Sequence, residues 1–223
     1  MLERILEPEV MSDAVEAIEY DAMDFSETDR LFAERAARLA SRFTRRVSWI
    51  VDLGSGNAKI PLAMSALLPT NVRVCAVEMS SEMLAIAATN RTKAGMSPSR
   101  CQLLSGDAKQ TGFASGSVSM ITSNSLIHHI AEPRLVFREF ARIVGADGPI
   151  LIRDLVRPQS EEHLAHLVDR HMIGSSGRQR TLFADSLRAG LSLAEVRDAL
   201  DDCGLREVTV SQITDRHWSA ERA

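Results

Sequence analysis

Between residues 10 and 44 apolar side chains recur at helical spacing, Val15, Ile18 and Met23 and then Leu31, Phe32 and Leu39, which predicts two helices. Ser26 followed by Asp29 reads as a capping box between them. The pattern then shortens to five apolar, β-branched runs at 47–53, 72–78, 101–105, 118–123 and 150–154, each with the length and composition of a strand. Helical segments separate most of them: 58–68 begins after Asn57, 81–93 begins after Ser80, and 133–144 stops at Gly145. Strands that alternate with helices form a parallel sheet covered on both faces, so the expected class is α/β.

Beyond Asp154 the alternation gives way to one long helical stretch, about 160–191. A capped helix follows at 192–203, marked by Ser192 with Glu195 at its start and Gly204 beyond its end, and two more strand-like runs close the chain. The chain therefore reads as a single domain of 1–223: amino-terminal helices 1–45, a core 46–154, inserted helices 155–191, and a last helix with two strands 192–223. The amino-terminal and inserted helices belong to no crossover, and they are expected to form a lid over the ligand.

Composition narrows the function. With 223 residues, 45% hydrophobic and 25% charged, the chain is long enough for one full core and is not a disordered or repeat sequence. Its net charge of -4 and the absence of any basic run longer than a pair, as at Arg45 and Arg46, argue against a non-specific nucleic-acid binder. Cys75, Cys101 and Cys203 have neither disulfide nor zinc spacing. The first residues alternate charged and apolar side chains, unlike a signal peptide, and no apolar run could span a bilayer, so a cytoplasmic protein is expected.

The chemistry concentrates in Ile50-Val51-Asp52-Leu53-Gly54-Ser55-Gly56-Asn57-Ala58, a buried strand running through a Gly-rich turn into a helix. Such a turn lets backbone N–H groups approach a ligand, and Glu78, at the end of the next strand, can accept both hydroxyls of a ribose. A bare strand-to-helix turn would need no such carboxylate. A dinucleotide fingerprint would require a glycine where the chain has Lys59, and the one tyrosine, Tyr20, is followed four residues later by Asp24 rather than by lysine. Nicotinamide-dependent dehydrogenases are thus disfavoured.

Val51-Asp52-Leu53-Gly54-Ser55-Gly56, followed by Val77-Glu78-Met79-Ser80 and Met83-Leu84, resembles the first two motifs of class I S-adenosylmethionine-dependent methyltransferases. The likeness continues through Gly106-Asp107-Ala108, through Ser123-Asn124-Ser125-Leu126-Ile127-His128-His129, and through 136–148. It is greatest to the small-molecule branch that includes ubiquinone and menaquinone methyltransferases. It implies a Rossmann-like, doubly wound, mostly parallel seven-stranded sheet with lid helices. It also implies S-adenosylmethionine as cofactor, with Asp52, Gly54, Ser55 and Gly56 at the methionine end, Glu78 on the ribose, Met79 and Met83 beside the adenine, and Asp107 with the Ala108 backbone at its amino group. Tyr20 and Asn124 complete the expected cofactor contacts. The family's third glycine is Ala58 here, whose methyl group is expected to fit helical dihedrals, and Ile50 stands where the family's acidic residue would be, leaving Asp52 alone to position the loop.

Each assignment has a plainer counterpart. Met83 has the spacing of a core residue and Asp107 the chemistry of a turn. His128 or His129 could act as a general base, or simply start a helix, and without i, i+4 spacing they predict no metal site. Asp154 closes the fifth strand, where it could orient a methyl acceptor or pair with Arg153 or Arg157. His128 and Asp154 are accordingly the candidate catalytic residues. Asn124, His128, Asp154 and the inserted helices are the expected acceptor surroundings. Arg178, Arg180 and Arg188, with Arg216-His217-Trp218, either form an anion pocket or pair with Asp185 and Glu195 on the surface.

A small-molecule methyltransferase is the leading reading. The segment after the fourth strand lacks the Pro-Pro-aromatic run with which amino-methylating enzymes of nucleic acids grip a base, which counts against a nucleic-acid acceptor. A protein acceptor, or a non-catalytic S-adenosylmethionine-binding module on the same fold, are the alternatives.

Overall fold

The computed structural model describes residues 1–9, 13–42 and 48–223. Arg45, Arg46 and Val47, and positions 10–12 and 43–44 of the expected amino-terminal helices, lie outside the described residues. Strands β1 (Trp49–Leu53), β2 (Arg73–Glu78), β3 (Cys101–Ser105), β4 (Met120–Asn124) and β5 (Ile150–Leu155) are parallel neighbours, while β6 (Thr209–Gln212) and β7 (His217–Arg222) run antiparallel at one edge. The order is β3-β2-β1-β4-β5-β7-β6, a seven-stranded, mostly parallel, doubly wound sheet. The order reverses between β1 and β4, and the crevice beyond their carboxyl ends is where such a sheet binds ligands.

The strands are buried on both faces because their side chains alternate between two cores. Val51, Leu53, Ile121, Ile150 and Ile152 meet Phe137 and Phe140 of α5 (Pro133–Ile143) and Val196 and Leu200 of α8 (Leu193–Asp202). On the other face Ile50, Val74, Met120 and Leu151 meet Phe32, Ala36 and Leu39 of α2 (Ser26–Arg42) and Met64 of α3 (Lys59–Leu67). Helix α4 (Ser81–Lys93) starts at Ser80, whose hydroxyl accepts from Met83 N as the sequence predicts. Phe137 and Phe140 meet edge-on at 6.1 Å between ring centroids, and truncating either would cost about 3–5 kcal/mol.

Several expectations need correction. In α1 (Ala14–Asp21) only Ala17 is buried, whereas Val15 and Ile18 point outward at 59% and 62% exposure. The apolar spacing was real but the helix shows that stripe to solvent, because its inner face meets the polar Asn57, Lys59 and Asn90. Ser26 does not cap α2: Asp24 accepts from Ser26 N at 3.0 Å, so the Asx side chain two residues earlier holds the start of the helix. The long stretch 160–191 is two helices, α6 (Glu161–His171) and α7 (Gly177–Ala189), broken where Gly174 takes φ +76° and Ser176 with Gln179 builds a capping box. Ala58 is not helical but left-handed, at φ 60° and ψ 17°. Among the described residues no helix is long and apolar enough to cross a membrane, and all three cysteines are free.

Candidate active site

The turn after β1 is held by the next strand: Gly54 N and Ser55 N both donate to Val77 O, at 2.9 and 3.0 Å. Gly54 takes φ +70°, and a Cβ there would come within 2.7 Å of the Leu126 side chain, which rests directly on the turn. Only glycine meets both demands. Glu78 reaches back to the turn, with Oε2 accepting from Gly56 N at 2.8 Å and Oε1 from Met79 N and Ser80 N at 2.9 and 2.8 Å. The carboxylate therefore both shapes the loop and lies at its rim.

Beneath the turn Asp52 is buried and accepts from Thr122 Oγ1 at 2.5 Å. Burial, with Glu78 and Asp29 nearby, pushes its carboxyl up to about 7. The Ser55 hydroxyl is buried without a hydrogen-bond partner. A ligand with a cationic amino-acid end and a ribose supplies what Asp52 and Ser55 lack, a charge that favours ionised Asp52 and a partner for the Ser55 hydroxyl, and its ribose hydroxyls can donate to the remaining lone pairs of Glu78. S-adenosylmethionine fits that set.

Two cavities meet at this crevice. One, of about 120 Å³, is lined by Asp52, Gly54, Ser55, Gly56, Glu78 and Met83. The other, of about 500 Å³, lies against β4, β5 and helices α1, α2, α6 and α7. Tyr20, Phe25, Asp29, Asn124, Ser125 and His129 line both. The smaller cleft is below the roughly 300–1,000 Å³ of small-molecule sites, so with α1 in this position it is narrow for a whole nucleoside. Tyr20 and Phe25, 5.6 Å apart between ring centroids, form the partition. Burial pushes the Tyr20 hydroxyl up to about 12, so it stays protonated.

The residues expected around the adenine divide. Met83 is buried beside Gly56 and lines the cleft, whereas Met79 is 50% exposed. Asp107 follows its plainer reading: it accepts from Lys109 N at 2.8 Å and pairs with Lys109 Nζ at 3.1 Å, and neither it nor Ala108 is among the cleft-lining residues.

The candidate catalytic pair is joined, with a different division of labour. Asp154 is fully buried, accepts from Ile127 N at 2.5 Å and bonds His128 Nδ1 at 2.5 Å, and so acts only through His128. It pairs with neither Arg153 nor Arg157. Burial alone would lower His128, but Asp154 and Glu7 outweigh it and push the imidazole up to about 9. A protonated imidazole is no general base at neutral pH. His129 is the neutral ring, lowered to about 4 by burial and by His128. Glu7, which sequence reasoning passed over, lies 3.3 Å from His128 Nε2 and 3.0 Å from His129 Nδ1.

The arginines of the inserted helices do not form an anion pocket. Arg178 pairs with Glu19 at 3.6 Å, Arg180 with Asp169, and Arg188 with Glu161 at 2.9 Å. The chamber is instead lined by Arg153 and Arg216. Arg153 is tied to Asn124 Oδ1 at 2.6 Å and Thr28 O at 2.8 Å. Arg216 stacks over the Phe183 ring at 5.5 Å, and among the described residues its guanidinium has no hydrogen bond or ion pair. His217, beside it, is pushed down to about 3 by burial and by Arg216.

A doubly wound sheet with a glycine turn, a carboxylate at the end of the next strand and an adjoining chamber is an arrangement suited to a nucleoside ligand beside a second substrate. The family model described as "Methyltransferase domain" matches residues 51–152. An uncharacterized methyltransferase, YcgJ, from Bacillus subtilis is 29% identical over 121 residues, covering 53% of this chain and 46% of that protein. A demethylmenaquinone methyltransferase from Porphyromonas gingivalis is 21% identical over 189 residues, covering 80% of this chain and 76% of that one. The fold matches the crystal structure of an S-adenosylmethionine-dependent methyltransferase from Aquifex aeolicus with TM-score 0.67 at 16% identity, covering 94% of this chain and 97% of that one. The chain thus spans about half the length of the Bacillus relative and three quarters of the Porphyromonas one. Residues 51–152 are thus similar to a methyltransferase domain, on the fold of the S-adenosylmethionine-dependent methyltransferase from Aquifex aeolicus.

Proposed function

We propose that the protein transfers the methyl group of S-adenosylmethionine to a small-molecule acceptor held in the 500 Å³ chamber. One observation carries this reading: the chamber shares Tyr20, Phe25, Asn124 and His129 with the cleft at the glycine turn, is flanked by α1, α2, α6 and α7, and has the volume of a small-molecule site. The name of the Porphyromonas relative, which acts on demethylmenaquinone, is in keeping with it.

The bound cofactor supplies an activated methyl: the acceptor atom's lone pair forms the new bond as the carbon–sulfur bond breaks, the electron pair staying on sulfur. The chain's contribution is alignment and exclusion of water. Tyr20 and Phe25 line both compartments, and Asn124 and Ser125 at the end of β4 and the neutral His129 lie on their common border.

The test is transfer of isotopically labelled methyl into a cell extract separated into metabolites, nucleic acid and protein. Label in the metabolite fraction is expected. Label confined to either polymer fraction would overturn the small-molecule reading, and cofactor binding without any turnover would favour the non-catalytic module.

A further inference from the structure

Glu7, His128 and His129 each present one donor atom, and these three atoms lie within 4.8 Å of one another on the wall of the chamber. His128 Nε2 and His129 Nδ1 are 3.3 and 3.0 Å from the same Glu7 oxygen. Donors bound at 2.0–2.1 Å in a tetrahedral shell stand about 3.3 Å apart, so the spacing suits one ion. The His129 Nδ1 atom is buried and, among the described residues, makes no hydrogen bond, though Glu7 Oε1 lies 3.0 Å away. An ion in the plane of the ring would satisfy it.

The surroundings hold each donor in place. His128 turns its other nitrogen to the buried Asp154 carboxylate, the arrangement that fixes the tautomer and aim of a metal-ligating histidine. Glu7 accepts from Ser186 Oγ at 3.2 Å. Its segment is tied down by Arg4, whose guanidinium donates to Ala189 O at 2.8 Å, His128 O at 3.1 Å and Ile130 O at 2.9 Å. Thus the amino-terminal strap is bonded to the same turn that carries the two histidines. Sequence spacing hid the group because the adjacent histidines offer different nitrogens, Nε2 and Nδ1, and the third donor comes from the far end of the chain.

We propose that Glu7, His128 and His129 bind a divalent transition-metal ion on the chamber wall, the ion displacing the Nε2 proton of His128 to solvent. Two imidazoles and one carboxylate suit zinc, iron, cobalt or manganese rather than calcium or magnesium, which prefer all-oxygen shells. Three protein donors leave coordination positions free toward the chamber. An acceptor oxygen would complete the shell there, beside His129, which also borders the cofactor cleft. The acceptor class this favours carries a hydroxyl or carboxylate oxygen.

The site is tested by metal retention, without turnover, so its failure would leave the proposed methyl transfer standing. Full-length protein stripped with chelator is dialysed against Zn²⁺ and the bound metal counted. The wild type and His163→Ala, a histidine of α6 outside the cluster, should each retain one equivalent. Glu7→Gln and His129→Ala should each weaken binding at least ten-fold while circular dichroism shows the fold intact. With Co²⁺ the wild type should develop a visible ligand-field spectrum that both variants lack. Binding below one equivalent in the wild type, or equal binding in His129→Ala, would overturn the site and leave the three residues as a hydrogen-bonded cluster only. His129 is only partly buried, so its variant remains informative if Glu7→Gln does not fold.

Discussion

The Asn57 side-chain amide donates to Asp21 Oδ1 at 2.8 Å, linking the glycine turn to the last residue of α1. Asn90 of α4 donates to the same oxygen at 3.0 Å, and Lys59 Nζ lies 3.2 Å from it. One carboxylate thus fastens α1 over the cofactor cleft. Apolar packing does little of that work, since only Ala17 of α1 is buried, so the helix is held by a polar clasp of the kind that opens at low cost.

Opening should be measurable. Asp21→Ala removes charge-assisted hydrogen bonds of a partly exposed carboxylate, a loss of about 1–2 kcal/mol. Amide exchange across 13–25 should then speed up by roughly ten-fold, and in the wild type it should slow when S-adenosylhomocysteine is added. Exchange in 13–25 that ignores both ligand and substitution would show α1 to be a fixed part of the fold.

Glu78→Ala should weaken S-adenosylhomocysteine binding by about 1.5–3 kcal/mol, roughly ten- to a hundred-fold, through loss of the ribose acceptor and of the bond that shapes the turn at Gly56. Calorimetric titration reads it directly. NAD should not compete, because Lys59 occupies the position that a dinucleotide turn gives to glycine. Unchanged affinity in the variant would remove Glu78 from the site.

Asp52 ties pH to both stability and binding. Its carboxyl is raised to about 7 in the fold against about 4 unfolded, so the fold holds this proton more tightly than the unfolded chain does. The stability this contributes is full below pH 4 and is lost as pH rises through about 7, a loss on the order of 4 kcal/mol for a shift of about three units. Asp52→Asn keeps an acceptor for Thr122 but escapes that loss, so its melting temperature should exceed the wild type's at pH 8 and not at pH 4. The cofactor's cationic end favours ionised Asp52, so wild-type affinity should rise with pH through about 7, and the asparagine variant should bind weakly with no such slope. Parallel pH profiles for the two proteins would refute the assignment.

Among the described residues Arg216 is a chamber arginine whose guanidinium makes no hydrogen bond or ion pair, and Arg178 and Arg180 are paired with Glu19 and Asp169. With an acceptor bearing a carboxylate or phosphate, Arg216→Ala should raise KM about ten-fold while leaving cofactor affinity unchanged, and Arg178→Ala and Arg180→Ala should leave both alone. Equal effects from all three substitutions would point to general electrostatics instead.

The parts of this molecule that could be read from sequence are those fixed by local rules. Strand alternation, the Ser80 and Ser192 caps, the glycine turn and Glu78 each depend on residues a few positions apart, and each sits where the pattern put it. The parts that could not be read depend on contacts across the fold. Val15 and Ile18 have the spacing of a buried stripe, but whether a stripe faces inward is decided by what lies opposite, here the polar Asn57, Lys59 and Asn90. Arg178 and Arg216 look alike in sequence, and only the positions of Glu19 and Phe183 make one a surface pair and the other a chamber cation. Glu7 carries no local signal at all, since its partners His128, His129 and Ser186 are brought to it by β4, the turn after it and α7.

Ala58 offers a test of how closely the turn has been fitted to its sequence. It holds φ 60°, a conformation that costs an L-residue about 1–2 kcal/mol and glycine nothing, and it is fully buried against Ala76 and Ala87. Ala58→Gly removes the strain but gives up one packed methyl group and adds freedom to the unfolded chain, which together, at about 1.2–1.8 kcal/mol, offset most of the gain. A net stabilisation of no more than about 0.8 kcal/mol is expected, a melting temperature higher by up to roughly 3 °C in a domain of this size. Affinity for S-adenosylhomocysteine should stay within about two-fold, because the backbone N–H groups of the turn keep their positions. A lower melting temperature would mean that the methyl group's packing between Ala76 and Ala87 outweighs the backbone strain, and that the alanine is a structural wedge rather than a tolerated departure.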